Sequence, residues 1–261
     1  MSEGTSVVVA LTVSYDGSRF AGFARQQGLE TVQGRLETAL AVALRREVVT
    51  VGAGRTDAGV HALGQVVSFE QTGDEPPAEA FLKSLNALVG DGIVVTGIRS
   101  APAGFSARHS AVAREYRYRI VPGPVPPLFL ADVSWWVNKT LSMAQMQEAA
   151  RALIGEHDFR SFCVAASAEG RRTMRRLDRI EIAPETVLGE HSVVVRVVGN
   201  AFLHSMVRVI VGSLVEVGLG RRPVPWMAGA LEARDRAAAG TTAPPQGLTL
   251  WHVTYPDECW L

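Results

Sequence analysis

Apolar and polar positions follow two rhythms along this chain. Ser6 to Tyr15 is short, rich in β-branched residues and stopped by Asp16-Gly17, which predicts a strand. Thr31 to Arg46 places Val32, Leu36, Ala39, Leu40, Ala43 and Leu44 at helical spacing. Glu47 to Ala53 and Gln65 to Glu70 read as short strands, separated by a glycine-punctuated loop from Gly54 to Gly64. Pro76-Pro77 opens a helix over Ala78 to Leu88, and Ile93 to Ile98 is a further strand. The order is β-α-β-β-α-β, the split ferredoxin-like pattern.

The second half repeats that order. Arg114 to Val121 alternates, with Tyr116, Tyr118 and Ile120 on one face. Ser142 starts a helix: Gln145 completes a capping box, and Leu141 can staple onto Met146. Thr173 to Ile182 and Ser192 to Val198 are strands, Phe202 to Val217 is a helix ended by Gly218 and Gly220, and Leu248 to Val253 is the last strand. An extra helix is expected over Pro225 to Arg236 and a loop over Ala237 to Gln246, while Glu156-His157-Asp158 reads as a helix-terminal turn. The fold class is therefore α+β: two ferredoxin-like halves with antiparallel sheets, residues 1–105 and 106–261, and a catalytic cleft between them. No sequence repeat links the halves, so the duplication is topological.

Composition narrows the classes. With 261 residues, 47% hydrophobic and 20% charged, the chain has material for real cores, which excludes disordered, collagenous and coiled-coil classes. Cys163 and Cys259 alone cannot build a disulfide framework or a four-thiolate metal site, so a reducing compartment is expected. Glu3 stands where a secretory signal carries basic residues, and His204, Arg208 and Glu216 interrupt the most apolar long stretch, Ala201 to Leu219. No membrane association is expected, and the cytoplasm is the expected location. Net charge is zero, from 26 basic and 26 acidic residues. All basic residues but Lys83 and Lys139 are arginine, and they cluster over Arg99 to Arg119 and Arg171 to Arg179. Such stretches are either solvated strand faces or a face that attracts phosphates.

The chemistry concentrates in few places. In Gly54-Arg55-Thr56-Asp57-Ala58-Gly59-Val60-His61, Arg55 and Asp57 stand two apart, and a neighbouring guanidinium favours an ionised carboxylate. Asp57 is then a candidate nucleophile or base, or else the head of an Asx-turn. Asp57 and His61 lack the further ligands a metal site needs. Arg208 sits in a helix apolar nearly all round, so a carboxylate or phosphate must lie near it; Asp57 is one candidate, another acid the alternative. Tyr116 and Tyr118 are either core or a surface on which a base stacks. His204 reads as a core or rim histidine.

Gly54 to His61, followed by Gly64-Gln65-Val66, resembles the signature of the TruA-type tRNA pseudouridine synthases. So do Tyr15-Asp16-Gly17-Ser18 with Gly22 and Gln26, Thr31-Val32-Gln33, Phe105-Ser106-Ala107-Arg108, Ser110-Ala111, Arg114 and Tyr116-Arg117-Tyr118. Gly155, His157-Asp158-Phe159, Ser161-Phe162, Phe202, Met206-Val207-Arg208, Val211-Gly212-Ser213 and Pro245 to Leu250 continue the likeness over nearly the whole chain. Phe23, Ala24 and Ser205 depart from the family's usual residues. The resemblance implies conversion of uridine to pseudouridine in the anticodon stem-loop of tRNA, at one or more of three neighbouring nucleotides. It makes Asp57 the catalytic aspartate, with Arg208 as its partner. Tyr116 would pack on the target base, and Arg55 would fill the place of the flipped base or hold the backbone. It also implies a homodimer with no metal and no organic cofactor.

The chemistry agrees with that expectation. The isomerisation breaks a C1′–N1 bond and makes a C1′–C5 bond to the same base, so nothing is oxidised and no water is consumed. One ionised carboxylate suffices, adding either to the base or to C1′. A non-catalytic RNA-binding protein would need neither Asp57 nor Arg208. A nucleoside hydrolase or glycosidase would need a second carboxylate near Asp57, which spacing does not supply.

Overall fold

The computed structural model describes residues 7–261. Glu3 and Ser6, used in the sequence reading, lie outside the described residues. The chain divides into two compact units: the residues up to Val112 joined by Leu250–Leu261, and Ala113–Thr249. The sequence reading places the division near residue 105 and leaves the final strand with the second half. Here the final strand counts with the first.

In the first unit the elements are β1 (Val7–Tyr15), α1 (Val32–Leu44), β2 (Val51–Gly52), β3 (His61–Glu70), α2 (Ala78–Leu88) and β4 (Ile93–Pro102). β1 lies between β3 and β4, antiparallel to both, and β2 pairs with β3. This is the strand order a β-α-β-β-α-β chain takes in one antiparallel sheet. Thr31 caps α1 by accepting from the Gly34 amide at 3.3 Å, and Arg45 ends it in the left-handed region at φ 54°. The strand expected over Glu47 to Ala53 shrinks to two residues for a local reason. The Thr50 amide and hydroxyl both donate to the buried Glu37 carboxylate at 3.0 Å, so that backbone is spent before a ladder can form. Leu11, Val13, Leu36, Leu40, Phe81 and Leu85 form the core.

The second unit contains β5 (Ala113–Pro122), β6 (Trp135–Val137), α3 (Met143–Ala150), β7 (Gly155–Asp158), α4 (Ala165–Ala168), β8 (Met174–Val187), β9 (Glu190–Gly199), α5 (Met206–Gly218) and α6 (Trp226–Ala233). The order β5-β9-β8-β7 is antiparallel throughout, with β6 parallel to the outer part of β5. Ser142 caps α3 as its sequence predicts. Its core gathers Tyr118, Ile120, Met146, Leu153, Phe159, Phe162 and Leu177. Two expectations are corrected. Glu156 to Asp158 is not a helix-terminal turn but part of β7, with His157 opposite Arg175. And α5 begins at Met206, four residues later than the apolar pattern suggests, because Ser205 adopts φ 58° and breaks the helical run.

The last strand, β10 (Leu248–Thr254), carries the chain back beside β3. A Cβ on Gly64 would lie 2.5 Å from the Trp251 carbonyl oxygen, so only glycine lets these strands approach. Among the described residues no helix is long and apolar enough to cross a membrane.

Candidate active site

The loop after β2 leads into β3 at His61, and Ala53, Gly54, Thr56, Gly59 and His61 are each tied to other parts of the first unit. The Ala53 amide donates to the Val66 carbonyl at 2.8 Å. The Gly54 carbonyl accepts from the Gln65 side-chain amide at 2.8 Å. Thr56 is held twice: its carbonyl accepts from the Phe23 amide at 3.1 Å, and its hydroxyl lies 2.7 Å from the Tyr15 phenol oxygen. The Val60 amide donates to the Asp57 carbonyl at 3.1 Å, which turns the chain. The Gly59 amide donates to the Gly17 carbonyl at 3.2 Å, and the Gly17 amide to His61 Nδ1 at 3.2 Å.

Glycine makes this closeness feasible. A Cβ on Gly17 would lie 2.0 Å from the Val60 carbonyl oxygen. Gly22, at φ +103°, would put one 3.0 Å from the Thr56 carbonyl oxygen. Asp57 emerges half-buried from this cradle, and Arg55 is exposed.

The surrounding ionisable groups follow their settings. Burial, opposed by hydrogen bonds to Thr56 and Gln65, pushes the Tyr15 phenol up to about 12, so it keeps its proton at any ordinary pH. Asp16 moves the other way. Burial works against its ionisation, but the Ser18 hydroxyl and amide, with His61 and Arg19 beside it, hold its carboxyl below the usual range.

The second unit carries the other expected site residues. Tyr116 is buried on β5, with its ring 5.0 Å from Phe202 in an edge-on arrangement. Tyr118 is fully buried and donates to the Pro244 carbonyl at 2.7 Å; burial drives its phenol far up, against the nearby positive charge of Arg208. Tyr118 is thus a core residue. Arg208, half-buried in the first turn of α5, is latched to the segment before β10: its Nε donates to the Ala243 carbonyl at 2.8 Å, and the Ala243 amide returns to the Arg208 carbonyl at 3.1 Å. His204 is exposed, the rim position rather than the core one.

Within the arginine-rich stretches several guanidiniums already have structural work. Arg114 donates to the Asn200 carbonyl, Arg117 to Glu115 and Arg119 to Glu185. Arg175 differs. It is half-buried, its Nη1 is held by the Arg172 and Met174 carbonyls, and its buried Nε has no hydrogen-bond partner among the described residues. Among those residues no cluster of three or more His, Cys, Asp or Glu side chains is placed to hold a metal ion.

Sequence reasoning did not foresee the supports of the loop. Tyr15, Gly17, Phe23 and Gln65 each stand in a recognisable motif, but what each touches depends on how β1 and β3 pair, with Tyr15 opposite Ala62 and Val13 opposite Gln65.

The family described as tRNA pseudouridine synthase matches residues 11–95 and 149–256. This chain belongs to the tRNA pseudouridine synthase family. A relative from Pseudomonas aeruginosa named tRNA pseudouridine synthase A is 43% identical over 251 residues, covering 96% of this chain and 86% of its own length. Proteins of the same name from Anoxybacillus flavithermus (44% over 250 residues; 95% and 99%) and Bacillus subtilis (43% over 250; 94% and 98%) are similar to it throughout. In this tRNA pseudouridine synthase the first matched stretch holds the entire Asp57 loop with its supports, and the second holds Arg208 with its latch. Tyr116 falls between the two.

Proposed function

We propose that this protein isomerises uridine to pseudouridine in tRNA, with Asp57 as the nucleophile and without a cofactor. One observation carries the reading: a half-buried carboxylate stands on a loop whose flanking backbone is fixed at Gly54, Thr56 and Gly59, in a chain of this family. Preorganisation is what a single-carboxylate mechanism needs, because no metal or second acid shares the task of orientation. The carboxylate either displaces N1 from C1′ or adds to the base before the C1′–N1 bond opens; the freed uracil turns, C5 bonds C1′ as the carboxylate is released, and C5 loses its proton while N1 gains one. The uracil must first leave its stack, at a cost of a few kcal/mol that a pocket and a packing ring offset.

The remaining roles follow the family resemblance. Tyr116 packs on the target base, Arg208 is the partner of Asp57, and Arg55 fills the space the flipped base vacates or steadies the backbone. The substrate is the anticodon stem-loop at one or more of three neighbouring nucleotides, the working form is a homodimer, and the enzyme acts in the cytoplasm. Arginines without acidic partners meet the phosphates, which makes binding salt-sensitive.

The test is Asp57→Asn. Pseudouridine formation on tRNA, read by mass spectrometry or carbodiimide mapping, is expected to fall by on the order of 10³-fold or more while tRNA binding and thermal stability persist. Turnover retained in that variant refutes the assignment, and release of free uracil would point to a hydrolase instead.

A further inference from the structure

The supports of the loop are uneven in kind. Backbone-to-backbone bonds hold Ala53, Asp57 and Gly59, as in many tight loops. Gly54 and the Thr56 side chain, which flank Arg55 and lead straight into Asp57, are instead held by two side chains reaching over from the sheet. Gln65, fully buried on β3, donates its amide to the Gly54 carbonyl at 2.8 Å and to the Tyr15 phenol oxygen at 3.4 Å. The same phenol oxygen lies 2.7 Å from the Thr56 hydroxyl, in a hydrogen bond that either group can donate. The Gln65 carbonyl oxygen is buried with no hydrogen-bond partner among the described residues. Burying an acceptor unpaired costs stability, so what Gln65 contributes comes from its donors. Phe23 completes the arrangement: its amide holds the Thr56 carbonyl, and its ring lies 6.2 Å from that of Tyr15.

We propose that Tyr15, Gln65 and Thr56 form a positioning clamp for Asp57, a neutral hydrogen-bond relay that fixes the backbone before the nucleophile and so aims its carboxylate. The clamp rests on the reading of Asp57 as the nucleophile. Its three members bond one another and the Gly54 carbonyl, and their effect passes through the loop. All of them are uncharged. The phenol, pushed up to about 12, neither ionises in the working range nor adds a charge that would compete with the carboxylate it aims. A displacement of about 1 Å in a reacting group can cost on the order of 10²-fold in rate, so a hydroxyl that removes such play has a kinetic signature.

The experiment compares Tyr15→Phe, Thr56→Val, their double variant, Thr56→Ser and Asp57→Asn, in single-turnover and steady-state assays on tRNA transcript, with filter binding and thermal melts alongside. Tyr15→Phe and Thr56→Val should each lower kcat by about 10- to 100-fold, with KM and tRNA Kd within about threefold of wild type. The double variant should be no slower than the slower single one, because both remove the same bond. Thr56→Ser, which keeps the hydroxyl, should recover most of what Thr56→Val loses. If either single variant keeps kcat within about threefold of wild type while Asp57→Asn is inactive, the clamp is refuted and the nucleophile stands. A rise in KM at unchanged kcat, or losses that multiply in the double variant, also overturn it. An active Asp57→Asn removes the nucleophile and the clamp together. Should Tyr15→Phe lower the melting temperature enough to confuse its kinetics, the Thr56→Val and Thr56→Ser pair decides.

Discussion

The Asp57 loop and the outward face of the β5-β9-β8 ladder are both polar, yet they are held by opposite means. Around the loop the fixing groups are amides, carbonyls, hydroxyls and the His61 ring. On the ladder, Glu115 accepts from Arg117 at 2.8 Å and from Arg196 at 2.7 Å, and Arg196 reaches on to Glu181 at 3.0 Å. Burial opposes the charge on Glu115, but the two guanidiniums hold its carboxyl below the usual range, and Glu115 in turn raises Arg196. A strand face tolerates charge when each carboxylate has its guanidinium. Beside a reacting carboxylate each added guanidinium would also move its affinity for protons and electrophiles. Neutral donors restrict its position and leave its charge alone.

The sharpest way to break this contrast is Gly17→Ala. The added methyl would meet the Val60 carbonyl oxygen at 2.0 Å, and the loop must give way. A loss of about 3 kcal/mol or more in urea denaturation is expected, together with lost turnover. Next comes alkaline pH. The Tyr15 phenol moves from 10.0 unfolded to about 12 folded, so the unfolded chain loses its proton first. Stability is then complete below pH 10 and falls as pH rises toward 12, by about 2–3 kcal/mol in all, and melts of Tyr15→Phe across that window should show a shallower fall.

Glu115→Gln probes the other region. With a mostly buried carboxylate and two half-exposed arginines, it should cost about 1–2 kcal/mol in denaturation and leave kcat within about twofold. Because the Glu115 carboxyl is held low, its contribution is present at neutral pH and lost as pH falls through its folded value. Melting curves of the variant should therefore be flatter in acid. The smallest effect is at Arg175, whose buried Nε has no hydrogen-bond partner among the described residues. Arg175→Ala should weaken tRNA binding by about two- to fivefold at low salt and reduce the salt slope by roughly 0.7 to 1, read by filter binding across a potassium chloride series.

What the sequence made legible follows physical lines. α1 and α2 were readable within two residues because capping and periodicity are local signals, and Thr31 and Pro77 mark their starts. β7 was not, since Gly155-Glu156-His157-Asp158 has no apolar alternation and becomes a strand only by pairing with β8. α5 was read too long because hydrophobicity runs on through Phe202 and Leu203, whereas Ser205 turns the backbone left-handed. Asp57 was legible from its glycine-rich motif. Its supports come from residues up to 44 positions away, and no local pattern reveals that Tyr15 meets Thr56.

The discontinuous make-up of the first unit bears on how the molecule is made. A ribosome delivers the nucleophile's residues early, but β10, which flanks β3, is made only after nearly all of Ala113–Thr249. Domains tend to fold as units once their residues are out. Ala113–Thr249 is contiguous, so it depends on no such distant segment. The amino-terminal unit must wait for β10, so the unit begun first is the last to receive all its residues.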